Sequence, residues 1–147
     1  MNVLVVCTGN TCRSPMLAAM LVKRLEEMQI QDVFVDSAGL ARDINPYSSL
    51  CADTLEKHSV NFNEKGYSKY CDKSLFDAAD IVITMTRSQA DFLRKTYGDG
   101  KIISLYDLTG RDVCDPYGKS ADEYEKVFCE FCSSLDIICG YITKTGF

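Results

Sequence analysis

The chain has 147 residues, which suits one compact domain, and its 46% hydrophobic and 25% charged content is typical of a globular protein. The net charge of −5 excludes a generally basic surface for nucleic acid, so any bound anion must be held by a local site. The apolar run Val3 to Val6 is too short for a signal-peptide core or a membrane span, so we expect a cytoplasmic protein without a membrane partner.

Short β-branched runs alternate with helical patterns along the chain. The predicted strands are residues 2–6, 32–36, 81–85 and 101–105. The predicted helices run from Ser14-Pro15 to about 28, from 45–46 to about 58, from 73 to 79, from a Thr86-Gln89 capping box to Gly98, and from 120 through 142, with loops at 59–71 and 106–119. This alternation predicts an α/β fold, a single domain over residues 1–147 with a four-stranded parallel sheet and helices on both faces.

The stretch VCTGNTCRSP, residues 6–15, joins the first predicted strand to the first predicted helix. A turn of this kind directs several backbone N–H groups to one point, and the start of the helix adds partial positive charge. Gly9 and Asn10 suit it because both tolerate positive φ. The loop is therefore expected to bind a phosphate-like anion through Thr8, Gly9, Asn10, Thr11, Cys12, Arg13 and Ser14.

Cys7 lies at the bottom of this predicted bowl. A positive environment stabilises a thiolate, to which the Ser14 hydroxyl can donate, and a thiolate beneath a bound anion is positioned to attack phosphorus. Ligands of parallel sheets bind beyond the carboxyl ends of the strands, so Cys7, Arg13 and Asp115, which follows the fourth strand, are expected on one rim. By itself, Asp115 before Pro116 is a turn residue, and Cys7 alone could be a packed cysteine at a strand end.

Three motifs can be compared with known families: VCTGNTCRSP, Ser37-Ala38-Gly39, and the Asp-Pro-Tyr-Gly run that begins at Asp115. With them, the chain resembles the low-molecular-weight protein tyrosine phosphatase family over nearly its whole length. The resemblance implies Cys7 as nucleophile, Arg13 as phosphate clamp, and Asp115 as general acid and then base, acting through a phosphocysteine without metal or cofactor. It implies a phosphorylated protein as substrate and inorganic phosphate as product. We also expect a monomer.

Thr11 stands where tyrosine phosphatases of this family carry a bulkier aliphatic residue, and this variant is similar to the bacterial protein arginine phosphatase branch. A threonine leaves room for a guanidinium and offers it a hydroxyl, while Tyr117 would flank the pocket. Phosphoarginine is therefore the favoured substrate and phosphotyrosine the alternative. Two positions depart from the family pattern: Arg42-Asp43 replace a wall aromatic, and no histidine braces the loop near residues 63 and 64.

The cysteines suggest three further interpretations. A thiol-dependent arsenate reductase shares a similar loop but needs two more relay cysteines, and Cys71 and Cys114 are not spaced as that pair. Cys129-x-x-Cys132 has zinc-ligand spacing but lies in a helical pattern, so we expect no metal there. Cys12 shares the loop with Cys7, and a reversible Cys7–Cys12 disulfide would protect the nucleophile from over-oxidation.

Overall fold

Four short parallel strands form the centre of the molecule in the computed structural model, which describes residues 1–146. Their order across the sheet is β2-β1-β3-β4. The strands are β1 Asn2–Cys7, β2 Phe34–Gly39, β3 Ile81–Thr84 and β4 Ile102–Ser104. Every pairing is parallel, and the register places Cys7 opposite Gly39 at the carboxyl end of β1. The α/β prediction with a four-stranded parallel sheet is confirmed.

Helices cover both faces of the sheet. They are α1 Arg13–Glu27, α2 Ser49–Lys57, α3 Lys73–Ala78, α4 Arg87–Tyr97, α5 Leu105–Thr109 and α6 Ala121–Gly146. Because successive side chains of a strand point to opposite faces, Val3, Val5 and Cys7 pack with α1 and α6, whereas Leu4 and Val6 pack with α3 and α4. Burial on both sides explains why β1 is almost entirely apolar.

Two predicted helix starts differ from the structure. Helix α1 begins at Arg13 after Cys12, so Pro15 is its third residue, where a missing N–H is tolerated because the first turn has no intrahelical acceptor for it. Helix α2 begins at Ser49 rather than at 45–46, because Pro46 forms a β-bridge with Tyr67 instead.

Strand β2 and the segment after β4 also depart from expectation. Strand β2 is shifted to Phe34–Gly39 because its pairing with β1 sets its limits. The predicted loop at 106–119 contains α5, which starts with a capping box between Ser104 and Asp107 and ends at Gly110 with φ +80°. None of the helices within residues 1–146 combines the length and the apolar character that a membrane span requires.

Candidate active site

Cys7 lies at the carboxyl end of the central strand β1, and the next residues curl over it before α1 begins. We call residues Thr8–Cys12 together with Arg13 and Ser14 the anion loop. The Cys7 Sγ accepts a hydrogen bond from the backbone N of Asn10 at 3.2 Å and lies 3.0 Å from Ser14 Oγ. Asn10 Nδ2 donates to Ser14 Oγ at 2.8 Å, so the Ser14 proton can go to the sulfur or to the Ala38 carbonyl oxygen at 3.4 Å. Both contacts hold the sulfur at the base of the anion loop.

Asn10 holds the anion loop in shape. It is fully buried and adopts φ +55°, a conformation that asparagine tolerates better than most residues. Its Nδ2 also donates to Ser37 Oγ at 2.9 Å, and its Oδ1 accepts from the Lys69 backbone N at 2.9 Å. Neither of these two hydrogen bonds was expected from the sequence. The only signal for Ser37 was its place in the Ser37-Ala38-Gly39 motif.

The two glycines near the loop, Gly9 and Gly39, have different roles. Gly9 does not adopt positive φ, so the expectation for it was wrong. Within the anion loop, Asn10 is the residue with positive φ. A Cβ on Gly9 would only touch Thr11 Oγ1 at 3.7 Å. A Cβ on Gly39 would instead lie 2.8 Å from the Thr8 carbonyl oxygen and 3.0 Å from Asn10 Cβ. Glycine is therefore required at 39, where β2 supports the loop from below.

Arg13 extends from the first turn of α1 toward the loop that carries Asp115. It is buried, and its Nη1 donates to the Val113 carbonyl at 2.9 Å, while Nη2 lies 3.7 Å from Asp115 Oδ2. The Val113 backbone N in turn donates to the Met85 carbonyl beyond the end of β3. The structure thus brings Cys7, Arg13 and Asp115 to one rim of the sheet, although about a hundred residues separate the third from the others.

Asp115 is held by its own turn but stays half-exposed. Its Oδ1 accepts from the Tyr117 backbone N at 3.1 Å and lies 3.8 Å from the Cys12 Sγ. Burial raises the pKa of the Cys12 thiol; the hydrogen bond with Thr11 opposes the shift, and the negative charge of Asp115 adds to it. Cys12 is therefore a protonated thiol near neutral pH.

An open pocket of about 450 Å³ lies above Cys7. Its floor is the anion loop, Asp115 and Tyr117 form one side, and the segment 41–46 after β2 forms the other. Asp43 lines this wall, whereas Arg42 stacks over the Tyr70 ring with 4.7 Å between its Cζ and the ring centroid. Tyr117 is 68% exposed at the rim, and Thr11 lines the floor. The resemblance placed Arg42 and Asp43 at this wall, and Asp43 does line it; Asn45 and Pro46, which also line it, were not expected there.

The remaining candidates lie away from the pocket. His58, the one histidine of the chain, ends α2, stacks on Phe128 and contacts Glu125 through Nε2 at 2.6 Å. Cys129 and Cys132 are exposed on α6, and residues 1–146 contain no group of three or more His, Cys, Asp or Glu arranged to hold a metal ion. All eight cysteines are free thiols.

Comparison with known proteins gives consistent matches over nearly the whole chain. A family model described as low molecular weight phosphotyrosine protein phosphatase matches residues 2–143. The chain is 35% identical to the protein-arginine-phosphatase of Bacillus subtilis, over 86% of each chain, and 35% identical to the low molecular weight protein-tyrosine-phosphatase PtpB of Staphylococcus haemolyticus, over 87% of this chain and 90% of the relative.

Among solved structures, one similar to this chain is a YwlE arginine phosphatase in a cysteine-to-serine mutant with a phosphorylated active-site serine. It has a TM-score of 0.86 and 30% identity, and the match covers 98% of this chain and 97% of the other. The chain belongs to the low molecular weight phosphotyrosine protein phosphatase family and is a hydrolase of phosphorylated substrates.

Proposed function

We propose that this protein removes phosphate from phosphoarginine in proteins, with Cys7 as nucleophile, Arg13 as phosphate clamp and Asp115 as general acid and base. The Cys7 thiolate attacks phosphorus, the bond from phosphorus to the guanidinium nitrogen breaks, and Asp115 gives its proton to that nitrogen. Water then attacks the phosphocysteine, Asp115 accepts a proton from the water, and inorganic phosphate leaves with Cys7 restored as thiolate.

The environment of Cys7 supports this chemistry. Two donors face its sulfur within about hydrogen-bond distance: the Asn10 backbone N at 3.2 Å and the Ser14 hydroxyl at 3.0 Å. The positive end of α1 and the buried Arg13 favour the charge that develops on the phosphoryl oxygens. In the YwlE arginine phosphatase mutant, the active-site serine that replaces a cysteine is phosphorylated, which supports phosphoryl transfer to the corresponding Cys7.

The lining of the pocket carries the proposal for phosphoarginine. Asp43 lines it with a carboxylate, Asp115 lines it as the proton donor of the mechanism, and Thr11 contributes a hydroxyl rather than a bulky aliphatic side chain. Guanidinium is a cation with several donors, so carboxylates and a hydroxyl suit it better than they suit a phenyl ring. The two relatives at equal identity are named for different substrates, so the support for phosphoarginine comes from the side chains that line the pocket.

Phosphotyrosine is the second candidate, and one observation favours it. The exposed ring of Tyr117 stands at the rim of the same pocket, where it could stack on the ring of a substrate. The mechanism would be unchanged, except that Asp115 would protonate a phenolate oxygen instead of a nitrogen.

Oxidation of Cys7 by a peroxide to the sulfenic acid, followed by attack of Cys12 with loss of water, would form the Cys7–Cys12 disulfide and stop the reaction reversibly. This proposed redox switch is supported by the position of both thiols in one loop.

We further propose a monomer that works in the cytoplasm without metal or cofactor, since Cys7 and Arg13 supply the nucleophile and the charge stabilisation. Eight free thiols suit a reducing compartment.

The test is release of phosphate from matched phosphoarginine and phosphotyrosine peptides by the wild type, Cys7→Ser and Thr11→Ile. We expect a preference for phosphoarginine, loss of activity in Cys7→Ser, and a shift toward phosphotyrosine in Thr11→Ile because the added bulk fills the space for the guanidinium. Preference of the wild type for phosphotyrosine would refute the proposed specificity. Release from neither peptide would refute the phosphatase mechanism.

A further inference from the structure

The side chain of Gln89 connects the start of α4 with the anion loop. Its Oε1 accepts from the backbone N of Met85 and of Thr86, both at 3.0 Å, and its Nε2 donates to Thr8 Oγ1 at 3.1 Å. The sequence predicts only the first half of this arrangement, the capping box of α4. The contact with Thr8 spans 81 positions and gives a buried amide a second partner at the site.

The direction of these hydrogen bonds follows from their chemistry. A backbone N–H can only donate, so the amide oxygen of Gln89 must face Met85 and Thr86, and its NH₂ group must face Thr8. The Thr8 hydroxyl oxygen therefore accepts, and its own proton is left for another acceptor. No acceptor for that proton is found among the hydrogen bonds of residues 1–146, and Thr8 is an exposed residue that lines the pocket above Cys7.

We propose that Gln89 is a positioning residue that makes the Thr8 hydroxyl a hydrogen-bond donor to the phosphoryl group in the pocket. The inference rests on the phosphate-binding role in the proposed function, but not on the choice between phosphoarginine and phosphotyrosine. Phosphate oxygens accept hydrogen bonds strongly because they are charged, and a hydroxyl that already accepts from an amide presents its proton to them. Thr8 thereby adds a side-chain donor to the backbone N–H groups of the loop.

The experiment measures the dissociation constant of inorganic phosphate by calorimetry on the full chain. Thr8→Val removes the hydroxyl but keeps the shape, and we expect it to weaken phosphate binding about tenfold. Thr8→Ser keeps the donor and should restore most of the affinity. Thr96→Val is the matched control, because the Thr96 hydroxyl donates to the Phe92 carbonyl on the exposed face of α4. It should bind phosphate as the wild type does.

Gln89→Glu tests the positioning role directly. The new carboxylate can still accept from Met85 and Thr86 and so keeps the capping box, but it presents an acceptor to Thr8 and draws away the hydroxyl proton. We expect binding to weaken by at least about tenfold. Because the added charge also repels phosphate, the Thr8→Val/Gln89→Glu double variant is needed. Under the proposal, Gln89→Glu has a smaller effect when Thr8 is already valine.

The outcomes separate this inference from the proposed function. Equal effects of Gln89→Glu in both backgrounds, or a Thr8→Val variant that binds phosphate as tightly as the wild type, would overturn the positioning role alone. A wild type that does not bind phosphate would overturn the proposed function and this inference with it. Thermal unfolding checks that each variant folds, and if Gln89→Glu does not, the comparison of Thr8→Val with Thr8→Ser decides.

Discussion

Replacement of Asn10 by alanine should have a large effect, because this one side chain ties the anion loop to two other segments. Asn10→Ala removes the hydrogen bonds to Ser14, Ser37 and the Lys69 backbone, each worth about 1 kcal/mol net. It also puts alanine at φ +55°, which costs about 1 kcal/mol more than a residue that tolerates this region. The expected loss in the free energy of unfolding is therefore about 4 kcal/mol, a large fraction of the total for a domain of this size.

Urea denaturation of the wild type and variants measures this loss. Asn10→Gly lacks the same hydrogen bonds but has no penalty at positive φ, so it should be more stable than Asn10→Ala by about 1 kcal/mol. Asn61→Ala, at an exposed position, is the control and should change stability by less than about 0.5 kcal/mol. A loss below about 1 kcal/mol in Asn10→Ala, or a glycine variant less stable than the alanine variant, would refute the reasoning. Phosphate release should fall with the loss of loop shape.

Three further outcomes follow from the structure. Gly39→Ala should reduce phosphate release and stability, because its Cβ would collide with the loop backbone. Gly140→Ala in α6 is the control: nothing lies within 4 Å of the added Cβ, so this change should be neutral or stabilising. Equal stability of the two variants would contradict this. Asp43→Asn should lower kcat/KM for a phosphoarginine peptide about fivefold and leave that for phosphotyrosine unchanged, and parallel losses on both peptides would remove Asp43 from the specificity argument.

Burial raises the pKa of the Cys51 thiol well above its ordinary value, so above about pH 9 the unfolded chain releases this proton while the folded chain retains it. The contribution of Cys51 to the free energy of unfolding is fully retained below that pH and should fall as the pH rises, by about 1 kcal/mol at about pH 10. Thermal unfolding should show a shallower decline of stability with pH for Cys51→Ala than for the wild type. Identical declines would show that Cys51 is not the group responsible.

The elements with local interactions could be predicted from the amino-acid sequence alone. The β-branched run before Cys7 and the capping box of Thr86 and Gln89 have recognisable patterns within a few residues, so these patterns were sufficient. The alternation of strands and helices then restricted the topology, which placed Cys7 and Asp115 on the same rim before any side-chain position was known.

The distant groups that complete the site could not be predicted in this way, because folding brings them together. Asn10 meets Ser37 and the Lys69 backbone, Arg13 meets the Val113 carbonyl, and Gln89 meets Thr8 across separations of 27 to 100 positions. Such contacts depend on how segments are arranged around the sheet, and no local pattern encodes that arrangement. The polar side chains concerned look like ordinary cap or turn residues in the sequence, because their second partners are supplied by folding.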